Sequence, residues 1–455
     1  ALGGKAKIEA TESLLMEGEG EEGNLGQNLT PEAPLTQWKV SGFRQTRDLQ
    51  NKRMRTDQIR TATFPFGLAT VQRQSLSVDG NIAWNTNAEG KSSRTTDKVA
   101  ADRQLEFFHN PLAIVRAALD PATKLTNFRK QGNSNLVDLA TPGGQMLTLA
   151  LNPASGLPDH VSSLTDYPIL GDVRIETAFS DYRDVNGLTL PMRITTKLDK
   201  WVRSDIHVSR YTVNGDVKYL GASNSVKTEL AAPAHPPLEV TSQEVAPGIW
   251  WLAGRGNHHS VAFAFTDHLT LFELPESEAR AKAVIDKAHS LAFGKPLTEV
   301  VISHHHFDHS AGLRLAVAEG LTIITPRGNV AFFKDLIARK HTLAPDALAR
   351  GFAARPLKIV PVDDELVLKD SAMELDLYKV RDNSHSDTLL MGFVPAYHVL
   401  VQADLYDSSG LTYPWLDNLV KNVELRKLKV EKEVPIHGEI ESYDDVLKRM
   451  GSKTP

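Results

Sequence analysis

The chain has 455 residues, 24% charged and 41% hydrophobic, with a formal net charge of −5 and no cysteine. That length exceeds what one compact core organises and implies two domains. The mild negative charge and the lack of a long basic run argue against nucleic acid as partner; no apolar stretch is long enough for a membrane span, and no disulfide can form.

The chain opens Ala1-Leu2-Gly3-Gly4, which reads as an end exposed by removal of an export signal. A periplasmic or secreted location is therefore expected, with the cytoplasm as the alternative. Residues 38–49 and 53–63 alternate in polarity across the turn Gln50-Asn51, and 70–78 and 81–84 flank Asp79-Gly80. Residues 136–140 and 147–152 pair across Thr141-Pro142-Gly143-Gly144, and 172–181, 188–198 and 206–213 continue the meander. A single helix is expected over 104–119. These patterns predict a mainly antiparallel β domain, residues 1–220, curved around a helix.

The opening residues and Tyr182-Arg183-Asp184-Val185-Asn186-Gly187-Leu188-Thr189-Leu190-Pro191 give this half a diffuse similarity to periplasmic lipoprotein-carrier domains. The resemblance implies a concave apolar face able to hold a lipid or hydrophobic substrate. The competing expectation is a sheet that only scaffolds or dimerises the rest. Residues 221–240 read as a linker, with Ala231-Ala232-Pro233-Ala234-His235-Pro236-Pro237 a stiff extended joint.

From residue 241 onward strands and helices alternate. Residues 261–265 and 269–272 read as strands, and 276–292 as a helix with Ala281, Val284, Ile285 and Ala288 on one face. Strands at 300–302, 321–324, 358–361, 365–368, 374–380, 388–394 and 399–403 follow. Helices are expected at 313–319, 329–338, 416–430 and 443–450. The order predicts an α/β architecture, two sheets sandwiched between helices in an αββα arrangement.

One pattern carries the chemistry. His304-x-His306-x-Asp308-His309 follows the apolar run Val300-Val301-Ile302 and precedes Ser310-Ala311-Gly312. In extended chain, residues two apart point the same way, so His304 and His306 can grip one ion. Asp308 and His309 come where the chain turns into a helix and face a second point. Further on, His385, Asp404 and His437 each lie beside a predicted strand, where open α/β sheets place ligands.

This order resembles the metallo-β-lactamase-fold superfamily over roughly residues 245–453. By that resemblance His304, His306 and His385 hold one metal, Asp308, His309 and His437 the other, and Asp404 bridges them. One departure is Glu273, where the superfamily's first motif usually has aspartate in a supporting role. The resemblance implies two divalent metal ions, zinc first, with iron or manganese as alternatives. It implies hydrolysis of an ester, lactone or related acyl bond by hydroxide formed at the metals, with Asp308 as catalytic proton carrier. β-Lactam hydrolysis is one alternative. The other is a periplasmic protein that binds an apolar ligand and whose second half is only stiffened by metal. The expected partner is a small molecule, apolar substrates included.

Weaker expectations concern neighbours. His258 and His259 are candidates for the mouth of the site, and Tyr406 for a substrate contact. His305 should point away from the metals. His341 falls in a segment expected as a lid or surface turn, and Trp415 in a pocket wall or core.

Overall fold

The structure, a computed structural model, describes residues 1–235, 238–254, 256–351 and 356–451. In the first half, thirteen strands make one antiparallel sheet. Edge to edge it runs Ser92–Arg94, Ile82–Thr86, Val71–Asp79, Arg53–Ala62, Gln37–Asp48, Ser13–Gly23, Trp201–Val213, Leu188–Leu198, Gly171–Val185, Pro158–Tyr167, Met146–Leu151, Ser134–Ala140 and Lys124–Gln131. The first and last strands of the half meet at its centre. Ser13–Gly23 was not anticipated, because glycine and glutamate are poor strand formers. Its register explains it. Glu17 lies opposite Arg210 on one neighbour and Arg44 on the other, and forms an ion pair with each.

The expected single helix over 104–119 is two, Asp97–Phe107 and Pro111–Leu119. The break has a local cause. The Asn110 side chain accepts from the amides of Leu112 and Ala113, and Pro111 occupies the first turn, so a new helix starts there. Both helices pack on the sheet through Phe107, Leu112 and Ile114. The cavity left beside them, about 420 Å³, has a mixed apolar and polar lining. Met16, Phe43 and Ile206 line it together with Arg47, Glu106 and His109. Arg47 is buried, donates to Gln45 and to the Phe107 carbonyl, and burial pushes its pKa down to about 10.

The linker expected over 221–240 carries a short helix, Asn224–Thr228, capped by Ser223, ahead of the proline-rich joint. Pro236 and Pro237 of the proline-rich joint lie outside the described residues.

The second half has the αββα layering. A seven-stranded sheet (Val240–Ala246, Ile249–Gly254, Ser260–Ala264, Leu269–Phe272, Leu297–Val301, Thr322–Pro326, Lys358–Val362) faces a six-stranded one. The second comprises Glu365–Lys369, Glu374–Lys379, Leu390–Val394, Val399–Gln402, Lys432–Pro435 and Glu441–Ser442. Phe263, Phe272 and Val301 of the first meet Leu377, Val401 and Val434 of the second in one buried layer. Helices Glu278–Leu291, Leu313–Glu319 and Val330–Ala338 cover one outer face; Leu416–Leu425 and Tyr443–Gly451 cover the other. Among the described residues no helix is long and apolar enough to cross a membrane.

The segment around His341 is neither lid nor surface turn but a seam between the halves. Its amides at Thr342 and Leu343 donate to the Asp172 carboxylate, and Lys340 offers its carbonyl to the Asp172 amide. Arg339 donates to the Leu170 carbonyl and pairs with Asp199. His341 is consequently buried.

One buried acid lies outside any site. Glu433 is fully buried; its Oε1 accepts from Gln402 Nε2 at 2.8 Å and its Oε2 has no partner. Burial raises its pKa well above the ordinary 4.5. A raised acid lends stability that is fully present below the unfolded pKa and lost as pH rises through the folded one. Glu433→Gln keeps the acceptor for Gln402 and cannot ionise. Its melting temperature should therefore decline less than that of the parent as pH rises above the ordinary carboxylate range. Parallel curves would remove the claim that Glu433 is held neutral.

Candidate metal centre

The centre is built where strands of both sheets end. Strand Leu297–Val301 continues through Ile302, whose amide donates to the Ile324 carbonyl, and Ser303, whose carbonyl accepts from Leu390. The chain then runs extended to His306, which opens the one-turn helix Phe307–Ser310. This places His304, His306 and His309 in the interior, each fully buried. Asp404 follows strand Val399–Gln402 and adopts a left-handed φ of 61°. Such backbone in a non-glycine residue is strained and collects at functional sites.

All seven sequence-predicted ligands converge. Two groups have donor atoms within 4.8 Å of one another: His304, His306, His385 and Asp404, and then Asp308, His309, Asp404 and His437. Asp404 belongs to both. Its Oδ2 lies 2.7 Å from His385 Nε2 and 3.4 Å from His304 Nε2; its Oδ1 lies 2.7 Å from His437 Nε2 and 3.2 Å from His309 Nε2.

The donor set fits divalent cations. His304 Nε2 and His306 Nδ1 are buried without hydrogen-bond partners, a costly condition unless something else satisfies them. His309 Nε2 and His437 Nε2 face each other at 3.2 Å while both also approach Asp404. Converging lone pairs of this kind suit a cation better than they suit each other.

The far nitrogens are held by outer partners, the usual way ligand histidines are oriented. Ser303 Oγ sits 2.8 Å from His304 Nδ1. His437 Nδ1 bonds the Asn257 carbonyl, and Asn257 Oδ1 accepts from Gly438 at 2.6 Å. Asn383 Oδ1 accepts from the His385 amide at 2.7 Å, and the Trp415 ring packs 4.4 Å from the His385 ring. Glu273, the departure at the first motif, keeps the supporting place. Its Oε1 accepts from the Ser303 amide at 2.8 Å and its Oε2 lies 3.6 Å from His309 Nδ1.

Electrostatics follow from this crowding. Burial holds His304 down to about 3 and His306 well below its ordinary range, leaving both neutral. Burial would raise Asp308 and Asp404, but the imidazoles around them outweigh it and hold both carboxyls well below the ordinary value. Burial opposes a charge on His309, yet Asp404, Asp308 and Glu273 push it well above normal. The carboxylates that favour a proton on His309 favour a metal cation equally.

The weaker candidates divide. His258 does reach the site: its Nε2 is 3.3 Å from Asp308 Oδ2 and its Nδ1 is 3.1 Å from Glu276. Burial opposes its charge, but those two carboxylates raise it to about 9. His259 does not line the mouth. Successive residues on an extended segment point oppositely, so it is buried and packs on Trp251 at 4.4 Å. Tyr406 is no substrate contact either. It is buried, donates to Glu441 at 2.6 Å and packs on Tyr413. His305 points away, into a bond with Thr388 at 3.0 Å.

Sequence reasoning missed Glu276, Asn257, Gln27 and Asn28. The last two come from the first half. Gln27 Nε2 donates to Asp308 Oδ1 at 2.8 Å, and His306 Nε2 lies 3.0 Å from the Asn28 carbonyl. Nothing local to Asn24-Leu25-Gly26-Gln27-Asn28 signals contact with residues some 280 positions away.

No protein-family model matches the sequence, and the search of curated proteins finds no match. Solved structures do resemble it. A metallo-beta-lactamase from Pontibacter korlensis is 12% identical, covering 47% of this chain and 98% of its own, with a TM-score of 0.38. The DIM-1 metallo-beta-lactamase is 16% identical, covering 47% and 99%, with a TM-score of 0.37. The stereoselective inverting sec-alkylsulfatase Pisa1 from Pseudomonas sp. is 16% identical, covering 46% and 40%, with a TM-score of 0.34. The description of the second half as an αββα sandwich rests on its own layers, and its candidate centre on the convergence of seven side chains at one sheet edge.

Proposed function

We propose that residues 241–455 form a metallo-β-lactamase-fold catalytic domain, preceded by a β-rich domain over 1–220. We read the chain as a metal-dependent hydrolase of an ester, lactone or related acyl bond, working with two divalent cations, zinc first. The observation that carries this is Asp404, shared between two donor groups that use six other side chains. When bound, such a cation pair acidifies water and polarises an acyl oxygen.

The chain's own residues orient and move protons. Asp308 Oδ2 faces His309 at 3.4 Å and His258 at 3.3 Å. From there it accepts the proton of the attacking water and returns it to the departing oxygen. His258, with 22% of its side chain exposed and anchored on Glu276, steadies that carboxylate and gives the proton a path outward. The Trp415 ring beside His385 gives the centre apolar surface on that side, which favours a small substrate with an apolar part.

The test is chelation followed by a substrate panel. Turnover of p-nitrophenyl esters or lactones should disappear with exhaustive chelation and return with zinc. Preference for nitrocefin would move the assignment to β-lactams. Full turnover by metal-free, folded protein would overturn the reading.

A further inference from the structure

Resting on that reading, we propose that the first half is part of the metal centre: a strap of residues 24–31 orients His306 and Asp308 for their cations. His306 is fully buried, and its Nε2 faces the Asn28 carbonyl at 3.0 Å. A carbonyl only accepts, so Nε2 must carry the hydrogen. That assignment leaves the lone pair on Nδ1, the buried nitrogen without a partner that faces the donor group. Without the strap, the proton could move to Nδ1 and block it.

Gln27 does the same for the carboxylate. Its amide occupies Asp308 Oδ1 at 2.8 Å and turns Oδ2 toward His309. The strap is held for this purpose at both ends. The Phe307 amide, between the two ligands, donates to the Gly26 carbonyl at 3.2 Å, and the Asp387 amide, two residues past His385, donates to Leu29 at 2.9 Å. Gly26 has φ +77°, and a Cβ there would fall 2.3 Å from the Phe307 ring. The Asn28 side chain donates to the carbonyls of Thr30, Pro31 and Ala33, folding the turn that presents its own carbonyl.

Gln27 and Asn28 are therefore positioning residues. Removing such outer partners typically weakens metal binding about 10–100-fold. The experiment uses the full chain. Zinc affinity is measured against a chromophoric competitor, and the visible spectrum of the cobalt-loaded protein reports ligand geometry. Gln27→Ala and Asn28→Ala should each weaken zinc about 10–100-fold and alter the cobalt bands. The metal-free melting temperature of Gln27→Ala should stay near the parent's, whereas Asn28→Ala gives up the three bonds that fold the turn and should melt lower.

Unchanged affinity and spectrum in both variants would overturn the strap while leaving the hydrolase reading intact. So would weakening in Gln27→Ala matched by an equal loss of metal-free stability, since the role would then be structural. A parent protein that binds neither zinc nor cobalt would overturn the hydrolase reading and the strap with it.

Discussion

Replacing Asp404 by alanine is expected to lower hydrolysis about 10³-fold or more, the scale seen when a group that stabilises charge at the reacting centre is lost. Asp404 belongs to both donor groups. Four imidazoles approach its two oxygens at 2.7–3.4 Å, two on each. Without it, His304, His306 and His385 converge with no carboxylate in their group, and both donor groups lose their shared member. Metal content should fall below two equivalents as measured by elemental analysis. Asp404→Asn separates charge from shape: the amide fills the same space but brings no negative charge. It should recover the fold and not the activity. An alanine variant with near-parental turnover would remove the shared carboxylate from the mechanism.

The second large effect is expected at Gly312. A Cβ there would lie 2.4 Å from Leu274 Cβ, 2.6 Å from the Leu274 carbonyl and 2.9 Å from Ala281 Cβ. Two of these atoms belong to one residue whose backbone is itself bonded to Gly312, 3.0 Å from amide to carbonyl. Close-packed interiors absorb such intrusions only by shifting, at about 1–3 kcal/mol. The shift also has a direction. Leu274 adjoins Glu273, which supports His309, and the Glu276 amide donates to the Asp308 carbonyl at 2.7 Å. Gly312→Ala should therefore lower both the melting temperature and the zinc affinity. A variant as stable as the parent would show that the helix Leu313–Glu319 can slide away from this contact.

The second half was largely legible because its signals are local. Val300-Val301-Ile302 reads as a strand and His304-x-His306-x-Asp308-His309 as a ligand pattern without knowledge of any partner. Errors arose where a side chain's direction depends on packing. His258 and His259 are adjacent and look alike in sequence, yet one meets Asp308 and the other packs on Trp251. Tyr406 lies two residues beyond Asp404, but it turns into the layer under helices Leu416–Leu425 and Tyr443–Gly451. The single helix expected over 104–119 ignored a cap that Asn110 and Pro111 spell out locally.

Sequence alone determined the alternation of strands and helices, the αββα layering and which side chains could ligate metal. Those follow from periodicity and residue chemistry within short windows. Only the tertiary structure decided that His258 and not His259 reaches Asp308, that His341 sits in a seam, and that Gln27 and Asn28 reach the centre. The reason is distance along the chain. A hydrogen bond between residues 28 and 306 leaves no periodic trace in either neighbourhood, because it exists only where the two halves pack together.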